Sequence, residues 1–135
     1  MEGCIFCRIA KGEIPCNKIY EDNDVIAFLD INPINEGHTL VVPKKHCDKF
    51  SETDDEELGI LIKAVKKIAN TIKKAISADG YNIGVNNERL AGQLVYHVHV
   101  HIIPRFSGDG LEHWKGKKVS SAELKQTSEE IRKAF

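Results

Sequence analysis

At 135 residues the chain is the size of one domain, and no stretch is apolar over a length that would span a membrane. Lys and Arg number 19 against 20 Asp and Glu, so a net charge of −1 offers no broad basic field, and no nucleic-acid partner is expected. Four cysteines in a chain with no export-type leader argue against a disulfide framework and predict reduced thiols or a metal site in a cytoplasmic protein.

In chain order, Ile5, Phe6 and Ile9 share one helical face and Gly12 follows as a stop, which predicts a short helix over 4–11. Residues 18–21 and 25–30 read as two strands of an antiparallel hairpin, joined by the turn-forming Asp22, Asn23 and Asp24. The β-branched run 38–43, closed by Pro43, is a third strand. From Leu58 onward Leu61, Ile62, Val65, Ile68, Ala69, Ile72 and Ile76 keep helical spacing, with lysines largely between them. Thr53 and Glu56 suit a capping box for this long helix, and its stop is expected near Asp79 and Gly80. Residues 81–86 and 95–103 are the fourth and fifth strands, and 120–135 is a terminal helix carrying Leu124, Ile131 and Phe135. Five strands with one long helix predict an α+β fold. Trp114 lies in the intervening glycine-rich tail, as a packing residue or as a lid or dimer contact.

The fifth strand carries the most unusual chemistry. Alternate side chains of a strand face opposite ways, so His97, His99 and His101 line one face and Val98, Val100 and Ile102 the other. Three imidazoles deprived of water each need a hydrogen-bond partner, a cost that points to metal ligation or to nucleophilic and acid/base chemistry. Cys4 and Cys7, one helical turn apart, supply two thiolates, and His46 with one of the three histidines would complete a Cys2His2 set. Gly92 and Gln93 before the strand, and Asn86 at the end of the fourth, suit neutral hydrogen bonding to phosphate or ribose, or ordinary turn structure. Asp30 is a turn former or a ribose acceptor.

The run His97-Val-His99-Val-His101-Ile-Ile103 resembles the signature of the histidine triad (HIT) superfamily, and the likeness extends from Cys4 to Arg105 through 19–22, 28–30, 37–43, 91–93 and 103–105. It implies a HIT core over 1–105 with the tail and helix 106–135 packed on the same domain, an antiparallel sheet, and a homodimer. It also implies hydrolysis or transfer at the α-phosphate of a nucleotide conjugate. His99 would be the nucleophile forming a covalent nucleotidyl-histidine, with His97, His101 and Gln93 completing the catalytic set, and His101 and Gln93 contacting phosphate oxygens. Asp30 would hold the ribose, Asn86 the nucleotide, and His38 the phosphate pocket or the triad behind it. A purine would lie against Ile5, Phe6 and Ile26. In the bacterial-type branch that the chain most resembles, Cys4, Cys7, His46 and His97 would hold a structural zinc ion.

Leu94 departs from the pattern, standing where many phosphoramidate-hydrolysing members carry Ser or Thr, and it has no proton to give a leaving group. Dinucleoside polyphosphates and other nucleotide conjugates therefore stand beside phosphoramidates as expected substrates. Two further readings are a metallohydrolase whose triad histidines hold a catalytic metal, and a nucleotide-binding regulatory or scaffold protein with little turnover.

Overall fold

The computed structural model describes residues 2–135. In chain order the elements are α1 (Ile5–Ala10), β1 (Lys18–Glu21), β2 (Val25–Leu29), β3 (Thr39–Pro43), α2 (Asp55–Ala75), β4 (Gly80–Gly84), β5 (Val100–Arg105) and α3 (Ser121–Ala134). The strands form one antiparallel sheet in the order β1-β2-β3-β5-β4, which makes the molecule an α+β domain. Among the described residues no helix is long and apolar enough to cross a membrane.

The period-two pattern of β2 and β3 explains the layering. Ile26 pairs with Val42 and Phe28 with Leu40, so these four share a face. Together with Phe6 and Ile9 they form one buried cluster. Val25, Ala27 and Val41 face the other way, with Val100 and Ile102, onto Leu61, Val65, Ile68, Ala69 and Ile72 of α2. With both faces covered, β2 and β3 read as nearly continuous apolar runs. Each such aliphatic side chain contributes about 1.5–3 kcal/mol when fully buried.

Several expected boundaries move. The fifth strand begins at Val100 rather than 95, because Pro43 ends the neighbouring ladder and has no N–H to give. The segment before Val100 bonds instead to the chain that follows β3, Val98 N–H donating to the Cys47 carbonyl at 2.7 Å. His97 and His99 therefore sit in an irregular segment leading into β5, and only His101 lies on the strand.

The capping box does not form. A 3-10 turn over Phe50–Glu52 takes up the chain before α2, and the Thr53 hydroxyl donates to the Lys49 carbonyl at 2.7 Å. Asp54 is the N-cap, its side chain making no capping bond, and Asp55, Glu56 and Glu57 supply the negative first turn. The helix stops at Ala75, short of Asp79. Ser77 enters the left-handed region with φ +54°, and Ala78 N–H donates to the Lys73 carbonyl at 3.0 Å, the bond pattern of a Schellman stop. Finally, α3 is capped by Ser120, which accepts from Glu123 N–H at 3.2 Å, yet no residue of α3 is buried. Leu124 and Ile131 thus face outward instead of covering the sheet.

Candidate functional site

Cys4 is the N-cap of α1, its sulfur accepting from Cys7 N–H, so the first helical turn brings both thiols to one point. His46, just after β3, and His97 reach the same point. Cys4 Sγ lies 3.3 Å from His97 Nδ1, Cys7 Sγ 3.3 Å from His46 Nδ1 and 3.5 Å from His97 Nδ1, and the two Nδ1 atoms are 3.1 Å apart. The far ring nitrogens decide the tautomers. His97 Nε2–H donates to the Pro43 carbonyl at 2.7 Å and His46 Nε2–H to Asp48 Oδ1 at 2.6 Å, which leaves both Nδ1 lone pairs aimed at the thiols. Two lone pairs in such proximity repel unless a proton or cation lies between them. Tetrahedral zinc separates two nitrogen ligands by about 3.3 Å and a nitrogen from a sulfur by about 3.6 Å, so this donor set and its spacing fit that metal.

A second cluster joins Asp30, His38 and His101, whose potential ligand atoms also lie within 4.8 Å of one another. Its hydrogen bonds run differently. His38 Nδ1 accepts from Ile34 N–H at 3.0 Å, so His38 carries its proton on Nε2 and donates it to His101 Nδ1 at 2.9 Å. His101 in turn holds its proton on Nε2. Asp30 Oδ2 lies 3.7 Å from His38 Nε2, and Asp30 Oδ1 accepts from Asn32 N–H at 2.8 Å. The lone pair a metal would need at His38 Nε2 is thus already protonated, and this cluster is a hydrogen-bond chain ending in a donor.

His99 sits between the two clusters. Its Nδ1–H donates to the His97 carbonyl at 2.7 Å, which leaves Nε2 with a free lone pair, and the Phe6 ring packs edge-on at 5.1 Å. Burial lowers the pKa of His38 and of His99. Burial, and then the neighbouring His99 and His38, bring His101 down to about 4. All three are neutral at pH 7, so His99 is able to act as a nucleophile and His101 as a neutral donor.

A cavity of about 450 Å³ opens beside these groups, with Ile5, Phe6, Phe28 and Leu40 on its apolar wall and Asp30, His38, His99 and His101 at its polar end. A second, of about 480 Å³, meets it at Ile34 and His101 and extends along Asn82, Asn86, Arg105 and Trp114. The structure therefore brings together most of the residues singled out from sequence.

Three lie elsewhere. Ile26 is buried among Phe6, Phe28 and Val42 and does not line the nucleoside-sized cavity. Asn86 borders the second cavity, its Nδ2 donating to the Gly92 carbonyl at 3.4 Å. Gln93 is 2 % exposed, and its carboxamide is taken up by backbone rather than presented to the cavity. Phe28, Leu40 and Ile9 line the cavity without having been singled out for it, although the shared face of Phe28 and Leu40 is readable from strand alternation; Leu94, noted in the sequence for its departure from the family pattern, lines it as well.

An α+β sheet that sets a bare imidazole nitrogen at a cavity mouth, beside a Cys2His2 cluster, defines a nucleophile-bearing pocket protein with a metal-type centre. The HIT domain matches residues 11–108, and the chain belongs to the HIT family. It is 56% identical over 129 residues to an uncharacterised HIT-like protein of Methanocaldococcus jannaschii, covering 96% of this chain and 98% of that one. It is 45% identical over 131 residues to the adenosine 5'-monophosphoramidase hnt1 of Schizosaccharomyces pombe, covering 95% of each. Among solved structures, a zinc-bound histidine triad family protein from Mycobacterium smegmatis superposes with a TM-score of 0.79 at 33% identity, covering 99% of both chains.

Proposed function

We propose that the protein is a nucleotidyl hydrolase or transferase that cleaves nucleotide conjugates at the α-phosphate through a covalent intermediate on His99. The observation that carries this reading is the bond from His99 Nδ1–H to the His97 carbonyl, which fixes the one tautomer with a nucleophilic Nε2. That nitrogen attacks phosphorus, the bond to the leaving group breaks, and water then cleaves the phosphorus–nitrogen bond to release a nucleoside monophosphate and restore His99. His101 Nε2–H, held by the chain through His38, donates to a phosphate oxygen as negative charge grows there. Asp30 accepts from the ribose, and a purine lies on the apolar wall formed by Ile5, Phe6 and Phe28.

Dinucleoside polyphosphates and nucleoside phosphoramidates are the substrate classes. The name of the Schizosaccharomyces pombe relative supports the second, while Leu94, 82% exposed at the cavity rim, cannot protonate an amine as it leaves. That same leucine favours one alternative, a nucleotide-binding regulatory protein, for which tight nucleotide binding without turnover across both substrate classes is the expected result.

Cys4, Cys7, His46 and His97 hold a structural zinc ion, supported by the donor geometry and by the zinc-bound mycobacterial relative. The metal would supply a crosslink between α1, the end of β3 and the segment before β5, and takes no part in the chemistry at His99. Thiolate ligands fit the reducing cytoplasm, and a homodimer is the assembly. Replacing His99 by Ala tests the function: turnover of an adenylyl conjugate falls by more than about a thousandfold while the melting temperature is kept. Turnover unchanged from wild type would refute the assignment.

A further inference from the structure

Gln93 stands next to the cavity-lining Gly92 and Leu94, yet its own side chain turns inward. Its Nε2 donates to the Asp48 carbonyl at 2.6 Å and to the Val95 carbonyl at 3.3 Å, and its Oε1 accepts from Glu88 N–H at 3.0 Å. Both hydrogens of the amide, and its oxygen, are thereby used on backbone. A buried carboxamide bonded in this way holds three chain segments at fixed distances, because losing it would leave three partly buried backbone groups without these partners.

The segments it joins are informative. Asp48 belongs to the short stretch that carries His46, and Asp48 Oδ1 accepts from His46 Nε2–H. The same stretch makes two more links to the region ahead of β5: the Cys47 carbonyl accepts from Val98 N–H, and Lys49 pairs with Glu88 at 2.8 Å. On the other side, Glu88 has φ +71°, uncommon for a residue with a side chain, and Gln93 N–H donates to its carbonyl at 3.1 Å. Gln93 thus pins the strained start of the loop that ends in Gly92, Leu94 and Val95 at the cavity.

We propose that Gln93 is a positioning residue that couples the metal-binding stretch 46–49 to the cavity-lining loop 86–95, so that filling the Cys2His2 site orders the backbone facing the phosphate, and that Gln93 touches no substrate. The inference rests on the metal reading of the cluster given above.

The test compares metal-loaded wild type with a Gln93→Met variant, which keeps length and volume and removes all three bonds. Zinc content of the wild type is measured first, then zinc retention against a competing chelator, and amide hydrogen exchange over 88–95 with and without metal. Stripping zinc from wild type is expected to speed exchange at residues 92–95 by at least about tenfold while the β1–β2 ladder keeps its protection. The loaded variant is expected to show the same faster exchange, and zinc affinity reduced by about 10–100-fold, as for other outer-shell partners of a metal site.

Wild-type zinc retention and wild-type exchange in Gln93→Met would overturn the coupling alone. Absence of zinc from the wild type would overturn the metal reading with it. Should the variant not fold, the wild-type comparison decides: exchange at 92–95 that is unchanged on stripping, or that rises no more than in the β1–β2 ladder, overturns the proposal.

Discussion

His99 and His101 are chemically alike side chains two positions apart, and what separates their roles is the partner of the second ring nitrogen. A backbone carbonyl at Nδ1 leaves His99 with a lone pair at Nε2, as the proposed nucleophile needs, whereas His38 at Nδ1 leaves His101 a donor at Nε2. Keeping such rings neutral has a measurable consequence. His101 is lowered to about 4 by burial, so between that pH and the ordinary histidine value near 6.5 the unfolded chain binds a proton that the folded chain refuses. Stability therefore falls as pH drops through this window, with His38 acting in the same direction. A His101→Asn variant, melted alongside wild type from pH 7 to pH 4, is expected to show the shallower decline. Parallel curves would contradict the assignment. The alternation of the three histidines is plain in the sequence, and the family resemblance implies a division of labour among them; the tautomers on which that division rests are not legible there, because they depend on carbonyls at Pro43 and His97 and on the ring of His38, none of which a spacing rule identifies.

The elements deliver those partners, and β5 shows how far pattern reading goes. The apolar positions Val100 and Ile102 identified the strand and its buried face, and the long helix was clear from its spacing. The start of the strand was misplaced because hydrogen bonds to the loop 46–48 compete with the ladder, a long-range effect that local propensity does not register. The family resemblance implies Ile26 at the base pocket; the register of β2 with β3 puts it in the buried cluster with Phe6, Phe28 and Val42.

The entry to β3 also depends on a single residue. Gly37 has φ +78°, and a Cβ there would stand 2.6 Å from Ile76 Cδ1 and 3.2 Å from Pro104 Cγ. Gly37→Ala is expected to cost about 1–3 kcal/mol, from left-handed strain and crowding, with the flexible Ile76 end absorbing part of the clash. Denaturant melts measure it, and a change within about 0.5 kcal/mol of wild type would contradict the account. Because the neighbouring His38 holds His101, the variant should lose turnover as well.

Across the whole molecule, one face of the sheet is sealed by α2 and serves stability, while the other is shared between α1, the metal-type cluster and the cavity. The family resemblance gave the sheet and its helices correctly; α3 is the part that sequence periodicity described and placement did not, since Leu124 and Ile131 stay 59% and 56% exposed and Trp114 98%. A single chain that leaves these residues uncovered agrees with the proposed homodimer. Sedimentation equilibrium is expected to give twice the chain mass of 15.1 kDa, and a species at 15.1 kDa at micromolar concentration would contradict it.

In the proposed mechanism His99 Nε2 becomes bonded to phosphorus, and mass analysis of protein quenched during a single turnover of an adenylyl conjugate reads that bond. An adenylyl adduct is expected on the peptide containing His99, formed and lost at rates matching product release, and none in a His99→Ala variant. Product formation by wild type with no adduct at any time, or with the adduct on another residue, would contradict it.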